Sequence, residues 1–312
     1  MTTFTNTKGS FWSWEVRERQ LAGVWPTSLS SNYGWVGGGY NFTGFVTYST
    51  IDRINFSTYV RTTSPATLSR VRSHFAATSS RTAGWFAGTS GASSIDRLNF
   101  SQETAALAPI NLSANKSGMS ATSGNARGWF VGGFFSAIER INFTDESIAI
   151  SPATLTATRL NSAGAANTDN GWFAGGSGLS SIDRLTFVSE TVAQIPSRLS
   201  SNRAESGGVD NNSSGWFGGG FVGPASTSTI DKLVFSTETR TLSPATLGAA
   251  KRYLSASSSN TLGWFAGGAD SVAYVSTIDV LSMSAEFRFA SPSPLSTAKG
   301  KTASTNSSIA LS

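Results

Sequence analysis

Residues 84–104, GWFAGTSGASSIDRLNFSQET, decide the fold, because relatives of this stretch recur along most of the chain. The Gly-Trp pair occurs six times, and each copy is followed by a phrase built on Ile-Asp or Ile-Glu. The six tryptophans are Trp35, Trp85, Trp129, Trp172, Trp216 and Trp264. Steps of 43 to 50 residues between them indicate a repeat architecture.

A basic residue completes the frame of each repeat. It lies 21 residues after the repeat isoleucine, and the first five lie 12 residues before the next Gly-Trp pair. The six basic residues are Arg72, Lys116, Arg159, Arg203, Lys251 and Lys299. All variation in length falls between Gly-Trp and the isoleucine, a segment of 10 to 17 residues. A constant frame with one variable loop per repeat predicts that the insertions share one face of the molecule.

The local pattern indicates β-structure. Helical periodicity is absent, and in the phrase around Ile95 the side chains alternate between two faces with period two. The small-residue run before each Gly-Trp predicts another strand. Ser-Pro-Ala-Thr-Leu predicts an outer strand with its proline at the end. Four short strands in roughly 45 residues are typical of a propeller blade.

The end of the chain predicts how the ring closes. Residues 299–312 repeat the small-residue strand a seventh time, without a further Gly-Trp pair. We therefore expect an all-β, six-bladed kelch-like propeller over 34–312, closed by this C-terminal strand in the first blade. Residues 1–33 would form an N-terminal arm outside the blade frame. The alternative is seven blades, the last assembled from both termini.

The stretch from Arg72 to Thr104 resembles a degenerate kelch repeat, with a basic residue, a small-residue strand, a glycine turn and an acidic-aromatic strand. It departs from that pattern where Gly88-Thr89 replaces a glycine doublet, and it lacks the late tryptophan of the outer strand. The sequence motifs GWFAGG and STIDRINFS are also similar to those of repeat arrays encoded by bacteriophages. That second resemblance implies a virion structural protein, located in the extracellular particle after assembly in the host cytoplasm.

Composition excludes several classes of site. The chain has no Cys and one His, His74, so cysteine nucleophiles, zinc–thiolate sites and two-histidine metal sites are not available. No apolar run is long enough for a membrane span, and the N-terminus has no signal-peptide pattern. The net charge of +5 comes without a basic run, which argues against nucleic acid as a partner. We expect no cofactor and no enzymatic activity.

The repeated polar and aromatic residues have two interpretations. The acids Asp52, Asp96, Glu139, Asp183, Asp231 and Asp279 suit a structural ion pair copied with each blade, and the alternative is a ring of cation sites. The tryptophans suit packing between blades, and the alternative is a carbohydrate platform. His74 is interpreted as structural rather than as a general base.

Two regions favour recognition. The variable loops carry aromatics that would gather on one face: Tyr40, Phe42, Phe45, Tyr48, Phe134, Phe135, Phe221 and Tyr274. The arm carries Phe11, Trp12, Trp14 and Trp25, which predict a partner-binding segment. We therefore expect a non-enzymatic structural or recognition protein that contacts other subunits of a virion or a host surface. The alternative is a lectin-like propeller that binds a host-surface glycan outside any virion.

Overall fold

The computed structural model describes residues 32–307, which form β-strands joined by turns, with no helix in that range. The predicted aromatic contacts of the arm, Phe11, Trp12, Trp14 and Trp25, lie outside the described residues. Across 32–307 no helix is long and apolar enough to cross a bilayer.

The described residues contain 26 strands. In chain order they are β1 (Tyr33–Gly37), β2 (Tyr40–Asn41), β3 (Val46–Thr47), β4 (Thr50–Asn55), β5 (Arg61–Thr67), β6 (Ala76–Ser79), β7 (Ala83–Thr89), β8 (Ala92–Asn99), β9 (Thr104–Asn111), β10 (Met119–Ser123), β11 (Arg127–Gly132), β12 (Ala137–Asn142), β13 (Ile148–Thr154), β14 (Ala163–Ala166), β15 (Asn170–Ala174), β16 (Ser181–Thr186), β17 (Thr191–Arg198), β18 (Gly207–Asp210), β19 (Ser214–Gly218), β20 (Thr229–Val234), β21 (Thr239–Thr246), β22 (Ser255–Ser258), β23 (Leu262–Ala266), β24 (Ile278–Ser282), β25 (Phe287–Ala290) and β26 (Ala303–Asn306).

Within 32–307 these strands build six four-stranded antiparallel sheets, the blades of a propeller. Blade 1 has the order β26-β1-β4-β5, and blades 2 to 6 each use four consecutive strands, beginning at β6, β10, β14, β18 and β22. The innermost strands contact one another in a closed cycle, with β26 between β22 and β6. A small hairpin, β2-β3, extends from the variable loop of blade 1.

Closure of the ring by the C-terminal strand is confirmed. Strand β26 pairs with β1 in antiparallel register, with Gly34 opposite Asn306 and Gly37 opposite Ala303. The same blade therefore contains residues from both ends of the described chain. The ring has six blades rather than seven.

The antiparallel order gives the ring two distinct faces. The loops between the second and third strands lie at the same end as the connections from one blade to the next; we call this the loop face. The turns between the first and second strands and between the third and fourth strands lie at the other end, the turn face. All the insertions in the repeat frame therefore lie on the loop face.

The frame residues form a buried ion pair in every blade. The basic residue of each connection contacts the acid of the third strand that follows it, and the pairs are Arg72–Asp96, Lys116–Glu139, Arg159–Asp183, Arg203–Asp231, Lys251–Asp279 and Lys299–Asp52. In blade 4 the Asp183 carboxylate also accepts the backbone N–H of Thr156 at 3.0 Å. The pair thus fixes the connection from the preceding blade onto the sheet it enters, as the structural interpretation predicted.

A second, more exposed ion pair joins neighbouring blades near the turn face. The basic residue after each acid meets a glutamate in the next blade, in the pairs Arg53–Glu103, Arg97–Glu146, Arg140–Glu190, Arg184–Glu238 and Lys232–Glu286. Blade 6 has Val280 at the basic position, and blade 1 has Tyr59 at the glutamate position. Both belong to one apolar cluster, so the closing interface replaces the ion pair with an apolar contact.

The repeat tryptophans are buried between blades, as predicted. Trp172 stacks on Phe235 of the next blade with ring centroids 4.0 Å apart, and Trp264 stacks on Phe56 at 3.8 Å across the closing interface. The glycine before each tryptophan makes room for the neighbouring inner strand, since a Cβ at Gly128 would lie 2.3 Å from Thr78 Oγ1. Tryptophans buried in this way offer no carbohydrate platform.

The outer strand differs from expectation in the place of its proline. Pro196 lies inside β17 rather than at its end, between register partners Asp183–Gln194 and Ser181–Arg198. The register shifts there, and the bulge accommodates the missing N–H donor on an edge strand. Blades 1, 2, 3 and 5 show the same shift.

We expect Asp183→Ala to lower the free energy of unfolding by about 3–5 kcal/mol, because the Arg159 guanidinium would stay buried without its counter-charge. Urea denaturation measures this change. The matched control is Asp169→Ala, an exposed turn-face residue, for which we expect a change within about 0.5 kcal/mol. Unchanged stability in Asp183→Ala would contradict a structural role for the repeated acid.

Deletion of residues 299–312 should abolish cooperative unfolding, because blade 1 would lose its inner strand and Asp52 its partner Lys299. Thermal melting followed by circular dichroism tests this expectation. A chain ending at Ser307 retains β26 and serves as the control. Equal melting of the two chains would show that the ring closes without this strand.

Candidate functional site

A closed ring of backbone hydrogen bonds surrounds the central channel on the loop face. Its six members lie two residues after each frame basic residue: His74, Gly118, Asn161, Glu205, Tyr253 and Lys301. Each backbone N–H donates to the carbonyl oxygen of the member before it, and His74 donates to Lys301, at distances of 2.6 to 3.0 Å. We call this set the mouth ring. It joins all six blades around one opening.

The mouth ring combines a repeated backbone with unrepeated side chains. Its members are an imidazole, a bare glycine, an amide, a carboxylate, a phenol and an ammonium group. The frame residue two positions earlier is Arg or Lys in every blade, whereas the residues on either side of each ring member vary from blade to blade. A structural role shared by six equivalent positions would favour one residue type.

All six members of the mouth ring have a left-handed backbone, with φ between +55° and +67°. Glycine adopts this region without steric cost, whereas other residues are strained there. Only Gly118 uses glycine. The glutamates of the second ion pair share this conformation, with φ of +48° at Glu103, so the ring is distinguished by its varied side chains around one opening and not by its backbone.

The side chains of the ring line a small cavity of about 70 Å³. Its lining adds Ser206 and Thr302, each next to a ring member, and the apolar residues Phe75, Met119 and Leu254. Glu205 is the one carboxylate among the described residues that line it. The cavity is therefore polar around its opening and partly apolar on the side of blades 2, 3 and 6.

Three long variable loops stand above one half of the mouth ring and together form what we call the wall. They are 38–49 in blade 1, 219–228 in blade 5 and 267–277 in blade 6, which are neighbours in the closed ring. Backbone bridges attach them next to the ring, with Tyr40 on Gly300, Phe221 on Ala204 and Ala269 on Arg252. The wall thus lies beside Glu205, Tyr253 and Lys301, the ring members of the same three blades.

Aromatic rings and cations meet along this wall. The Tyr274 ring lies 5.4 Å from Phe42 and 6.3 Å from Tyr40, centroid to centroid. The Lys301 ammonium group lies 4.5 Å from the Tyr253 ring centroid and 5.0 Å from that of Phe42. Such distances are within cation–π range and hold the ammonium group over the cavity edge.

A second cation completes the wall on the side of blade 5. The Arg252 guanidinium lies 4.8 Å from the Phe221 ring centroid and 5.3 Å from that of Tyr253. Its Nε is 3.9 Å from Glu205 Oε2. The mouth therefore brings two cations and one carboxylate together among aromatic rings.

Burial shifts the protonation of these groups toward their neutral forms. Desolvation raises the pKa of Glu205, although the hydrogen bond from Tyr253 opposes that shift. Desolvation also lowers the pKa of Lys301 and raises that of Tyr253 to about 12. For His74, desolvation and the nearby Lys301 charge lower the pKa to about 4, so its imidazole is neutral at neutral pH.

The inner strands line a second cavity, of about 120 Å³, further along the channel. One small residue from each inner strand lines this cavity, and the six are Ala77, Ala121, Gly164, Gly208, Ala256 and Ser304. A Cβ at Gly208 would lie 2.2 Å from the carbonyl oxygen of Gly164, which explains the small residues.

Asp210 lines the pocket at the turn-face end, where desolvation raises its pKa to about 6. Among residues 32–307 no group of three His, Asp or Glu side chains is placed to hold a metal ion.

The predicted loop aromatics separate into distinct places. Tyr40, Phe42, Phe221 and Tyr274 belong to the wall of the mouth, and Tyr274 is buried there. Phe45 and Phe134 are strongly exposed, while Phe135 lies 5.3 Å from Lys116 Nζ, ring centroid to nitrogen. Tyr48 lies below the mouth, with its ring centroid 5.9 Å from Lys299 Nζ. The loop aromatics are thus divided between the wall of the mouth and separate exposed positions.

Sequence reasoning missed the mouth ring. Asn161, Glu205, Tyr253 and Lys301 drew no prediction, and His74 was interpreted as structural. The sequence signal was weak, because this position differs from repeat to repeat at constant spacing but the positions on either side of it do so as well. Sequence alone does not show that the six residues form one site, because consecutive members are 43 to 48 positions apart. They come together only in the closed propeller.

The chain matches no protein-family model and no curated protein sequence. The kelch-like and bacteriophage resemblances therefore stay predictions. The six-bladed β-propeller fold is consistent with a role in recognition or protein binding.

His74 predicts a specific dependence of stability on pH. Its pKa is about 4 in the folded protein and near 6.5 in the unfolded chain. The unfolded state therefore binds more protons between these values, so stability contributed by neutral His74 is complete above pH 6.5 and is lost as the pH falls toward 4. Between pH 7 and 4 we expect the wild type to lose about 2 kcal/mol more than His74→Gln in urea denaturation. Parallel pH profiles would contradict the buried, neutral imidazole.

Proposed function

We propose that this protein is a non-enzymatic recognition component of a bacteriophage particle, and that its loop face contacts a host surface or a partner subunit. The observation that carries the proposal is that the insertions of the repeat frame all lie on that face. The buried ion pairs and stacked tryptophans recur from blade to blade and form a repeated scaffold. The variable loops differ in length and sequence on this scaffold. Binding residues on loops held by a rigid scaffold are a common arrangement.

The exposed aromatics of the loop face support a contact surface. Phe45 at the tip of the blade 1 hairpin is 78% exposed, and Phe134 in blade 3 is 69% exposed. Large apolar side chains that stay in water are costly to a monomer, and their burial in an interface is favourable. They lie in blades 1 and 3, which are separated by blade 2, so a partner that covers both would span this part of the loop face.

The chemistry of the mouth supports binding rather than catalysis. Hydrolysis of glycosidic bonds commonly needs two carboxyl groups about 5–10 Å apart. In the described part of the chain, Glu205 is the one carboxylate among the residues that line the mouth cavity. The polar variety of the ring favours discrimination between ligands.

A second candidate function is a carbohydrate-binding propeller that belongs to no virion. The polar, aromatic-walled mouth favours it, because such an arrangement suits an amphipathic ligand. The two candidates differ in where the chain is found: mass spectrometry of purified particles should detect it in the first case and not in the second.

We expect the double variant Phe45→Ser, Phe134→Ser to remain folded and to lower adsorption of particles to host cells at least tenfold, because both side chains are exposed and would lose interface burial. The matched control is Phe287→Ser, since Phe287 is 60% exposed and begins the outer strand of blade 6 at the turn face. Equal adsorption of all three particle types would contradict recognition through the loop face.

A further inference from the structure

We propose that the mouth ring and its wall bind one neutral sugar residue, with the hydroxyl groups on the ring side chains and the C–H face against the aromatic wall. This inference rests on the proposed recognition function, because it names the chemical group that the loop face would recognise. It assigns a role to Glu205, Tyr253 and Lys301, which the ring's own stability does not require.

Unpaired polar atoms mark the site. Ser206 and Thr302 are each 7% exposed and line the cavity, and their hydroxyl oxygens have no hydrogen-bond partner among residues 32–307. Within the same range Glu205 Oε2 and Arg252 Nε are buried without a hydrogen bond, although they form an ion pair with each other at 3.9 Å. Buried polar atoms normally have partners, and leaving one without a partner costs free energy. A ligand that supplies both donors and acceptors would satisfy this set.

The charges at the mouth favour a neutral ligand over an ion. A cationic ligand would meet Lys301 and Arg252, whose positive charges repel it. An anionic ligand would be repelled by the Glu205 carboxylate, whose Oε2 forms an ion pair with Arg252 Nε at 3.9 Å. Hydroxyl groups can donate hydrogen bonds to the carboxylate and accept them from the cations. A neutral polyol can therefore bind to the negative and the positive groups of the mouth.

The aromatic wall selects an amphipathic polyol. Tyr40 and the half-exposed Phe42 form adjoining rings beside Lys301, and the buried Tyr274 supports them from behind. The faces of aromatic rings carry partial negative charge and are apolar, which suits the polarised C–H bonds on one side of a sugar ring. A cyclic sugar presents such a face together with hydroxyl groups at its edge, whereas a linear polyol has no fixed apolar face.

The dimensions suit one residue at the end of a glycan. The cavity of about 70 Å³ has room for about five water molecules, which the hydroxyl edge of one sugar ring would replace. Beyond it the inner strands line a separate cavity of about 120 Å³ further along the channel. We expect a longer glycan to extend outward over blades 2 to 4, where the variable loops are short.

The first experiment uses the methyl glycosides of glucose, galactose, mannose and N-acetylglucosamine, with glucosamine and galacturonic acid as charged comparators. Saturation-transfer NMR on the full chain should detect at least one neutral glycoside at millimolar concentration, and titration calorimetry gives its Kd. We expect the charged comparators to bind at least tenfold more weakly. Failure of every neutral glycoside to bind, or tighter binding of a charged comparator, would overturn the inference.

Variants then locate the site. Glu205→Gln should weaken the bound glycoside at least tenfold, and Tyr253→Gly should abolish detectable binding. The glycine variant is informative because φ at Tyr253 is +59°, so glycine suits the backbone and the melting temperature should not fall sharply. The matched control is Asp145→Asn, an exposed carboxylate in a turn-face turn, which should bind like the wild type. Wild-type affinity in Glu205→Gln would place the sugar elsewhere and overturn the inference.

The outcomes separate this inference from the proposed function. If no neutral glycoside binds while Phe45→Ser, Phe134→Ser still lowers adsorption, recognition by the loop face stands and the sugar site is wrong. If a glycoside binds at the mouth while the loop variants adsorb normally, the site stands and recognition through the exposed aromatics is wrong.

Discussion

The buried ion pair between a connection and the sheet that follows it is the interaction on which the rest of the ring depends. Arg159 and Asp183 are both fully buried, and the carboxylate also accepts hydrogen bonds from the backbone N–H and hydroxyl group of Thr156. A buried pair satisfied in this way is costly to break. It fixes where each connection enters its blade, and therefore where the residue two positions later meets the channel.

Because the ion pairs of the repeat frame fix each connection on its blade, residues outside the frame can differ between blades. The mouth ring shows the consequence most directly: its backbone is held by hydrogen bonds that need no particular side chain. Four of its six members then carry side chains that a left-handed backbone does not favour, the exceptions being Gly118 and Asn161. The closing interface gives a second case, where Val280 and Tyr59 replace an ion pair and the ring still closes.

The asymmetry of the mouth links the loops to the ring. Long insertions occur in blades 5, 6 and 1, which are separated in sequence but adjacent in the closed ring. Their aromatics and the side chains of Glu205, Tyr253 and Lys301 therefore gather on one half of the opening. The six-fold scaffold therefore carries a polar site on one side of its mouth only. The exposed aromatics farther from the mouth enlarge the area of the loop face that a partner could contact.

The sequence by itself determined the repeat, the blade, the closing strand and the structural pairing of Asp183-type acids, because each follows from spacing and local chemistry. It placed Pro196 wrongly, since a bulge depends on the register of two strands. It also left Glu205, Tyr253 and Lys301 without a role, because these residues are 48 positions apart in sequence. Only the closed ring brings them around one opening, and only packing decides that Tyr274 is buried in the wall while Phe45 stays in water.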